Sequence, residues 1–280
     1  MIDRRMIPAL GKEISRLGYG GMRFPKNGDE VDVDAAVQLL RKAYEMGINY
    51  FDTAMVYHKG ESEKIFGKAF EPYPRDSYLI ADKMSIWLCS DEEDMKARFY
   101  NQLKTLKTDY IDFYLVHSLN RNHYKKVKDL HCVEFLQQMK QEGKIKHLGF
   151  SFHDTYQVFT QILNDYTWDF VQIQLNYLDW HNQGAEQLYR ELERRNLPVM
   201  VSRSFFADSS IHACLFRSLL LRLLSFDFSL CIFLAQAGQY FDMPERGTYS
   251  TPHTVQFLGF NAVHRFVGVI CNSPTKPMNL

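Results

Sequence analysis

Four side chains in the first 120 residues have the types and spacing for proton chemistry on one substrate atom. Asp52 and Tyr57 lie in Ile48-Asn-Tyr-Phe-Asp-Thr-Ala-Met-Val-Tyr57, Lys83 follows Ser77-Tyr-Leu-Ile-Ala-Asp82, and His117 follows Tyr110-Ile-Asp-Phe-Tyr-Leu-Val116. A phenol with a reference pKa of about 10 is a poor acid and a poor base at neutral pH. A neighbouring ammonium favours its ionised form, so Lys83 would activate Tyr57 and Asp52 would orient and hold the lysine charge. His117 would hydrogen-bond the substrate oxygen or relay a proton. Such a group polarises a carbonyl for hydride attack. None of these side chains can donate a hydride, so the chemistry requires a nicotinamide cofactor. Taken singly, Tyr57 also reads as a packing residue, Lys83 as an ordinary strand-end lysine, His117 as structural and Asp52 as a helix cap. Their joint position on three successive strand ends argues for a site.

That position depends on the order of elements. The apolar periodicity predicts strands over Arg16–Phe24, Ile48–Phe51, Tyr78–Ala81, Ile111–Val116, Lys146–Phe150, Phe170–Gln174 and Pro198–Val201. Helices are predicted between them over Asp34–Met46, Glu61–Phe70, Glu92–Leu106, Lys128–Gln141, Thr155–Leu163 and Gly184–Arg194. Repeating βα units imply a parallel sheet. A doubly wound sheet would place G-x-G-x-x-G after the first strand, and Leu17-Gly-Tyr-Gly-Gly-Met22 lacks that spacing. The expectation is a (β/α)8 TIM barrel, in which all strand C-termini form one face, incomplete after strand 7.

The chain resembles the aldo/keto reductases through Gly47-Ile-Asn-Tyr-Phe-Asp-Thr-Ala-Met-Val-Tyr57, Gly60-Glu-Ser-Glu63, Asp109-Tyr-Ile-Asp-Phe-Tyr-Leu-Val-His117 and Gly143-Lys-Ile-Lys-His-Leu-Gly-Phe-Ser151, over about residues 10–201. The resemblance implies an NAD(P)H-dependent oxidoreductase that reduces aldehydes or ketones, with Asp52, Tyr57, Lys83 and His117 as its catalytic tetrad. It implies NADP, with NAD possible, and a small-molecule carbonyl substrate. It assigns Ser151 and Gln172 to the nicotinamide carboxamide, and Asn176 and Trp87 to the pocket lining. Phe150-Ser-Phe-His-Asp154 has no Asn directly after the serine and resembles the branch that often carries a C-terminal iron-sulfur segment, which makes His153 a further contact. The alternative function is a catalytically impaired nucleotide-binding or regulatory protein of the same fold.

Composition narrows the partners. The 33 basic and 33 acidic residues leave no net charge to steer nucleic acid or anionic lipid. Lys125-Lys126-Val-Lys128 reads as a solvated helix start. Met1-Ile-Asp-Arg-Arg-Met6 has no apolar signal region, so a cytoplasmic enzyme is expected. The five cysteines, Cys89, Cys132, Cys214, Cys231 and Cys271, are scattered, so reduced thiols and no metal site are expected.

The character of the chain changes after Val201. Residues 202–280 carry six basic and four acidic side chains, half the charge density of the first 201. The run Leu215–Leu234 is apolar but holds Arg217, Arg222 and Asp227, so it reads as a buried helix rather than a membrane span. The resemblance also ends there, dividing the chain into a barrel over 1–201 and a non-matching tail over 202–280. A shift of reading frame near codon 202 would account for this. Displacing the frame by one base across Asp242–Thr251 permits Thr-Cys-Arg-Asn-Val-Glu-His-Ile-Gln, which resembles the family's late cofactor-binding pattern Arg-Asn-x-Glu-His. An unfinished barrel would leave the edges of its first and seventh strands unpaired.

Overall fold

The computed structural model describes residues 2–175, 180, 184–202 and 266–270, the last as backbone. Asn176 and the remainder of the tail, including Leu215–Leu234, lie outside the described residues.

The chain opens with an antiparallel hairpin, β1 (Arg4–Ile7) and β2 (Lys12–Ser15), which the sequence reading did not anticipate. The first barrel strand, β3, covers only Leu17–Gly20 of the expected Arg16–Phe24. A second small hairpin, β4 (Lys26–Asn27) and β5 (Glu30–Val31), leads into helix α1 (Val33–Glu45). Asp32 caps α1 by accepting from the Ala35 N–H at 2.9 Å, satisfying one of the donors that a helix start leaves open.

Alternation then follows: β6 (Tyr50–Asp52), α2 (Glu61–Phe70), β7 (Leu79–Met84), α3 (Glu92–Leu106) and β8 (Ile111–Leu119). The helix expected over Lys128–Gln141 is two helices, α4 (Arg121–Asp129) and α5 (Cys132–Gln141), because His131 between them takes a left-handed φ of 46°. The lysine cluster at 125–128 therefore lies inside α4 rather than at a helix start. Strand β9 (Ile145–Phe152), α6 (Tyr156–Asp165), β10 (Phe170–Gln174), α7 (Ala185–Arg194) and β11 (Val199–Ser202) complete the run.

Strands β3, β6, β7, β8, β9, β10 and β11 are parallel neighbours in that order. Among the described residues the βα repeat thus runs to a seventh strand, as an incomplete (β/α)8 barrel. The edges of β3 and β11 are nevertheless paired: β12 (Phe266–Ile270) lies between them, antiparallel to both. The expectation of unpaired edges is corrected on this point, since a distant five-residue strand supplies the missing backbone partners.

Two apolar layers hold the wall in place. Inside, Tyr50, Leu79, Ala81, Phe113, Leu115, Phe170 and Met200 pack on Ile7, Leu10 and Ile14 of the opening hairpin, which plugs the N-terminal end. Outside, helices cover the sheet, so β7 is buried along its whole length. Close approach of α2 to α3 depends on Gly67, where a Cβ would meet the Thr105 carbonyl oxygen at 2.4 Å. With the N-terminal end filled, the opposite face is left for chemistry.

Candidate active site

Asp52 is the last residue of β6, Lys83 the penultimate residue of β7, and His117 lies in β8, so register sets three of the four chosen residues on one rim. Lys83 is 1% exposed. Its Nζ donates to Asp52 Oδ1 at 2.6 Å, to the Thr53 carbonyl at 2.7 Å and to the Tyr57 hydroxyl at 3.3 Å. Burial works against the lysine charge, but Asp52 and the Tyr57 oxygen outweigh it and raise the lysine pKa above its ordinary value. The ammonium is therefore kept charged with a phenol oxygen in reach.

Tyr57 is not on a strand. It opens the turn Tyr57–Gly60, in which His58 and Lys59 adopt left-handed φ values of 51° and 57°. Such backbone costs about 1–3 kcal/mol per residue and persists only where surroundings hold it. His58 supplies that hold: its Nε2 accepts from the Phe24 N–H at 3.0 Å, and its ring stacks on Phe24 with centroids 5.4 Å apart. Burial and nearby Lys26 lower the His58 pKa, in keeping with an imidazole that accepts.

His117 continues the inward alternation of Phe113 and Leu115 along β8, and an irregularity follows it. The β8–β9 register shifts between Val116 and Leu119, and Ser118 takes a φ of 51°. A bulge of this kind breaks the regular alternation beyond His117. The Ser118 N–H donates to Ser151 Oγ at 2.6 Å, tying the bulge to β9. On its other side His117 Nδ1 meets Ser85 Oγ at 3.0 Å, and its ring lies edge-on to Tyr57 at 6.0 Å and beside Trp87 at 5.1 Å. Burial, then the charges of Lys83, His153 and His123, hold its pKa well below the usual histidine value, so the imidazole is neutral at pH 7.

The two residues expected at a cofactor carboxamide are neighbours: Gln172 and Ser151 are register partners on β10 and β9, and both are buried. Gln172 Nε2 donates to Asp52 Oδ2 at 3.2 Å, which connects this pair to the other four residues. A hydroxyl and a carboxamide side by side offer donors and acceptors of the kind a primary amide needs, so the residues fit a nicotinamide. Trp87 lies between His117 and His123, stacked on the His123 ring at 4.7 Å and tilted against His117 at 5.1 Å, the position of a pocket wall. His153 is exposed, and its backbone N–H donates to the Leu119 carbonyl.

Sequence reading missed Ser85, the Thr53 carbonyl, His58 and Ser118. Ser85 had a signal: it follows Lys83 by two residues, so strand alternation puts both side chains on one face. The Thr53 carbonyl and Ser118 act through backbone groups, and His58 through a contact with Phe24, 34 residues earlier, for which residue type gives no sign. Among the described residues no cluster of His, Cys, Asp and Glu is arranged for a metal ion. Cys89 and Cys132 are buried free thiols.

The aldo/keto reductase family model matches residues 16–210. L-galactose dehydrogenase of Arabidopsis thaliana is 29% identical over 153 residues, 53% of this chain and 48% of that protein. The aldo-keto reductase YhdN of Bacillus subtilis is 32% identical over 154 residues, 52% and 45% of the two chains. The chain spans about half the length of these curated relatives. Among solved structures, aldo-keto reductase AKR11C1 from Bacillus halodurans superposes with a TM-score of 0.60 at 24% identity, covering 72% of this chain and 66% of that one. An aldo-keto reductase from Klebsiella pneumoniae in complex with NADPH gives 0.58 at 24% identity, over 71% and 66%. These two likenesses speak to fold. With its seven parallel strands, its clustered Asp52, Lys83, Tyr57 and His117, and a family match over most of its length, the chain belongs to the aldo/keto reductase family.

Proposed function

We propose that this protein is an NAD(P)H-dependent oxidoreductase that reduces a small aldehyde or ketone to the alcohol, with Tyr57 as general acid. The observation that carries the reading is the Lys83 ammonium, held between the Asp52 carboxylate and the Tyr57 hydroxyl. When Tyr57 gives its proton to a carbonyl oxygen, negative charge develops on the phenol oxygen 3.3 Å from that ammonium. A preorganised charge in a buried site stabilises it without rearrangement. Asp52 keeps Lys83 in place and charged, and neutral His117 hydrogen-bonds the substrate oxygen beside Tyr57. The bound nicotinamide would supply the hydride, and Ser151 and Gln172 would hold its carboxamide. NADP is the preferred form, in line with the NADPH-bound relative, and the setting we assign is the cytoplasm.

The test is carbonyl-dependent oxidation of NADPH by the purified chain. Turnover lost in Tyr57→Phe supports the reading, whereas turnover unchanged by that substitution refutes Tyr57 as the acid. A second reading, nucleotide binding without turnover, has one observation in its favour: the family match ends at residue 210. NADPH binding with no carbonyl-dependent oxidation would select it.

The same proposal treats residues 1–201 as the barrel unit and 202–280 as a tail displaced in frame. Resequencing the source gene from the codon for Val199 to the stop tests this. A continuous frame containing an Arg-Asn-x-Glu-His segment supports it, and recovery of the present frame refutes it.

A further inference from the structure

Behind Lys83, on the outer side of the barrel wall, two carboxyl groups meet one amide. Glu63 stands in the first turn of α2, Asp82 on β7 and Gln102 on α3, and all three are buried. Gln102 Nε2 approaches Asp82 Oδ2 at 2.8 Å, Glu63 Oε1 at 3.0 Å and the Lys83 carbonyl oxygen at 3.2 Å. An amide nitrogen has two hydrogens, and here it faces three acceptors. Turning the amide over would oppose its oxygen to three oxygens, so the orientation is settled by its surroundings. The Tyr114 hydroxyl donates to Gln102 Oε1, so the phenol is committed to that oxygen. The group is one hydrogen short unless a carboxyl carries it.

We propose that Glu63 and Asp82 hold one proton between them at neutral pH, and that this pair with Gln102 is a positioning device for Lys83. Two ionised carboxylates in contact away from water would repel and remain undersolvated, whereas a single shared proton supplies the missing donor. The groups facing the pair are Gln102 from α3, Tyr114 from β8, and Lys83 with Asp52 from the inner side of the wall. The proton resides on Asp82, which lies directly on the strand, while Glu63 sits at a helix N-terminus that favours negative charge. Burial first, then the charge of Glu63, raises the Asp82 pKa, in agreement with that placement.

The device grips the lysine by its backbone. The Lys83 N–H donates to Asp82 Oδ1 at 2.8 Å, and the Lys83 carbonyl accepts from Gln102. Both backbone polar groups of the residue that carries the ammonium are thus anchored to helices α2 and α3 through side chains. A shift of this backbone would move Nζ relative to Tyr57. The positioning role rests on the catalytic reading given above, but the shared proton and the placement of Nζ do not require turnover to be observed.

Two measurements on the full chain separate these possibilities. In the infrared spectrum at neutral pH, a neutral carboxylic acid band is expected and should vanish in Asp82→Asn. No such band, or a band unchanged in that variant, overturns the shared proton. In protein labelled with 15N-lysine, the buried Lys83 ammonium should give a slowly exchanging Nζ signal. That signal should persist in Asp82→Asn, which keeps the acceptor for the Lys83 N–H, and should shift or broaden in Gln102→Leu. An unchanged Nζ signal in a folded Gln102→Leu variant overturns the positioning role. If the chain turns over, Gln102→Leu should lower kcat about tenfold with KM little changed, because a misplaced Tyr57–Lys83 pair weakens transition-state stabilisation rather than substrate binding. A fall in KM-dependent binding alone would count against the device. Absence of turnover in every variant would refute the catalytic reading while both spectroscopic results still stand.

Discussion

The Ser118 N–H donates to Ser151 Oγ at 2.6 Å across β8 and β9, directly after the histidine whose ring faces Tyr57. One hydroxyl thereby ties the bulge that follows His117 to the strand position proposed to bind a carboxamide. Ser151→Ala removes the acceptor and leaves the N–H of a left-handed residue unsatisfied. We expect a loss of about 1–2 kcal/mol in stability, measured by denaturant unfolding without cofactor. An unchanged midpoint would show that the bulge holds itself.

Tyr57→Phe keeps the ring and removes the proposed acid. Turnover should fall at least about 10²-fold, the usual scale for a positioned proton donor, while the melting temperature and NADPH affinity stay close to those of the parent. A comparable fall in affinity would mean that the hydroxyl holds ligand rather than delivering a proton.

Lys83→Met leaves the Asp52 carboxylate buried without its cation. Breaking a buried pair from one side costs about 3–5 kcal/mol, so the single variant should be strongly destabilised. Adding Asp52→Asn should recover a large part of that loss. If the double variant is no more stable than the single one, the pair is not the source of the effect.

Acid should destabilise the protein through His117. Burial and nearby positive charge depress its folded pKa, while the unfolded chain titrates at about 6.5. Below about pH 6.5 the unfolded state therefore binds a proton that the folded state does not, and stability falls with pH by up to about 1.4 kcal/mol per unit. Above that value this contribution is flat. Urea midpoints between about pH 5 and 7 should show a shallower acid slope for His117→Gln than for the parent.

Gly67→Ala tests the contact between α2 and α3. The added Cβ would meet the Thr105 backbone at 2.4 Å, so the helices must separate. Overpacking of this kind costs about 1–3 kcal/mol. Because Glu63 and Gln102 come from these two helices, the Lys83 Nζ signal should also shift, and an unmoved signal would show that the acid pair tolerates the separation.

Much of the wall was legible in residue order. Ile111–Val116 and Phe170–Gln174 are short, mostly apolar runs between amphipathic helices, broken only by Asp112, Gln172 and Gln174, and strands covered on both faces read in this way. The hairpin Arg4–Ser15 was not legible, because four-residue strands rich in charge give no clear alternation and their apolar residues matter only where the barrel end receives them. The break at His131 escaped for a related reason: apolar periodicity continues through it, and only the left-handed backbone ends α4.

Residue types and strand order by themselves determined that Asp52, Lys83 and His117 stand on adjacent strand ends with Tyr57 just beyond, since period-two alternation and repeated βα units leave little freedom in where such residues point. Tertiary structure alone decided the rest: the strained His58 turn that brings Tyr57 back to Lys83, the bulge at Ser118, the meeting of Glu63, Asp82 and Gln102, and the antiparallel strand Phe266–Ile270 beside Leu17–Gly20. Each of these joins residues distant in the chain through a hydrogen bond or a backbone angle. Local pattern carries no record of such contacts, because they depend on which surfaces packing brings together.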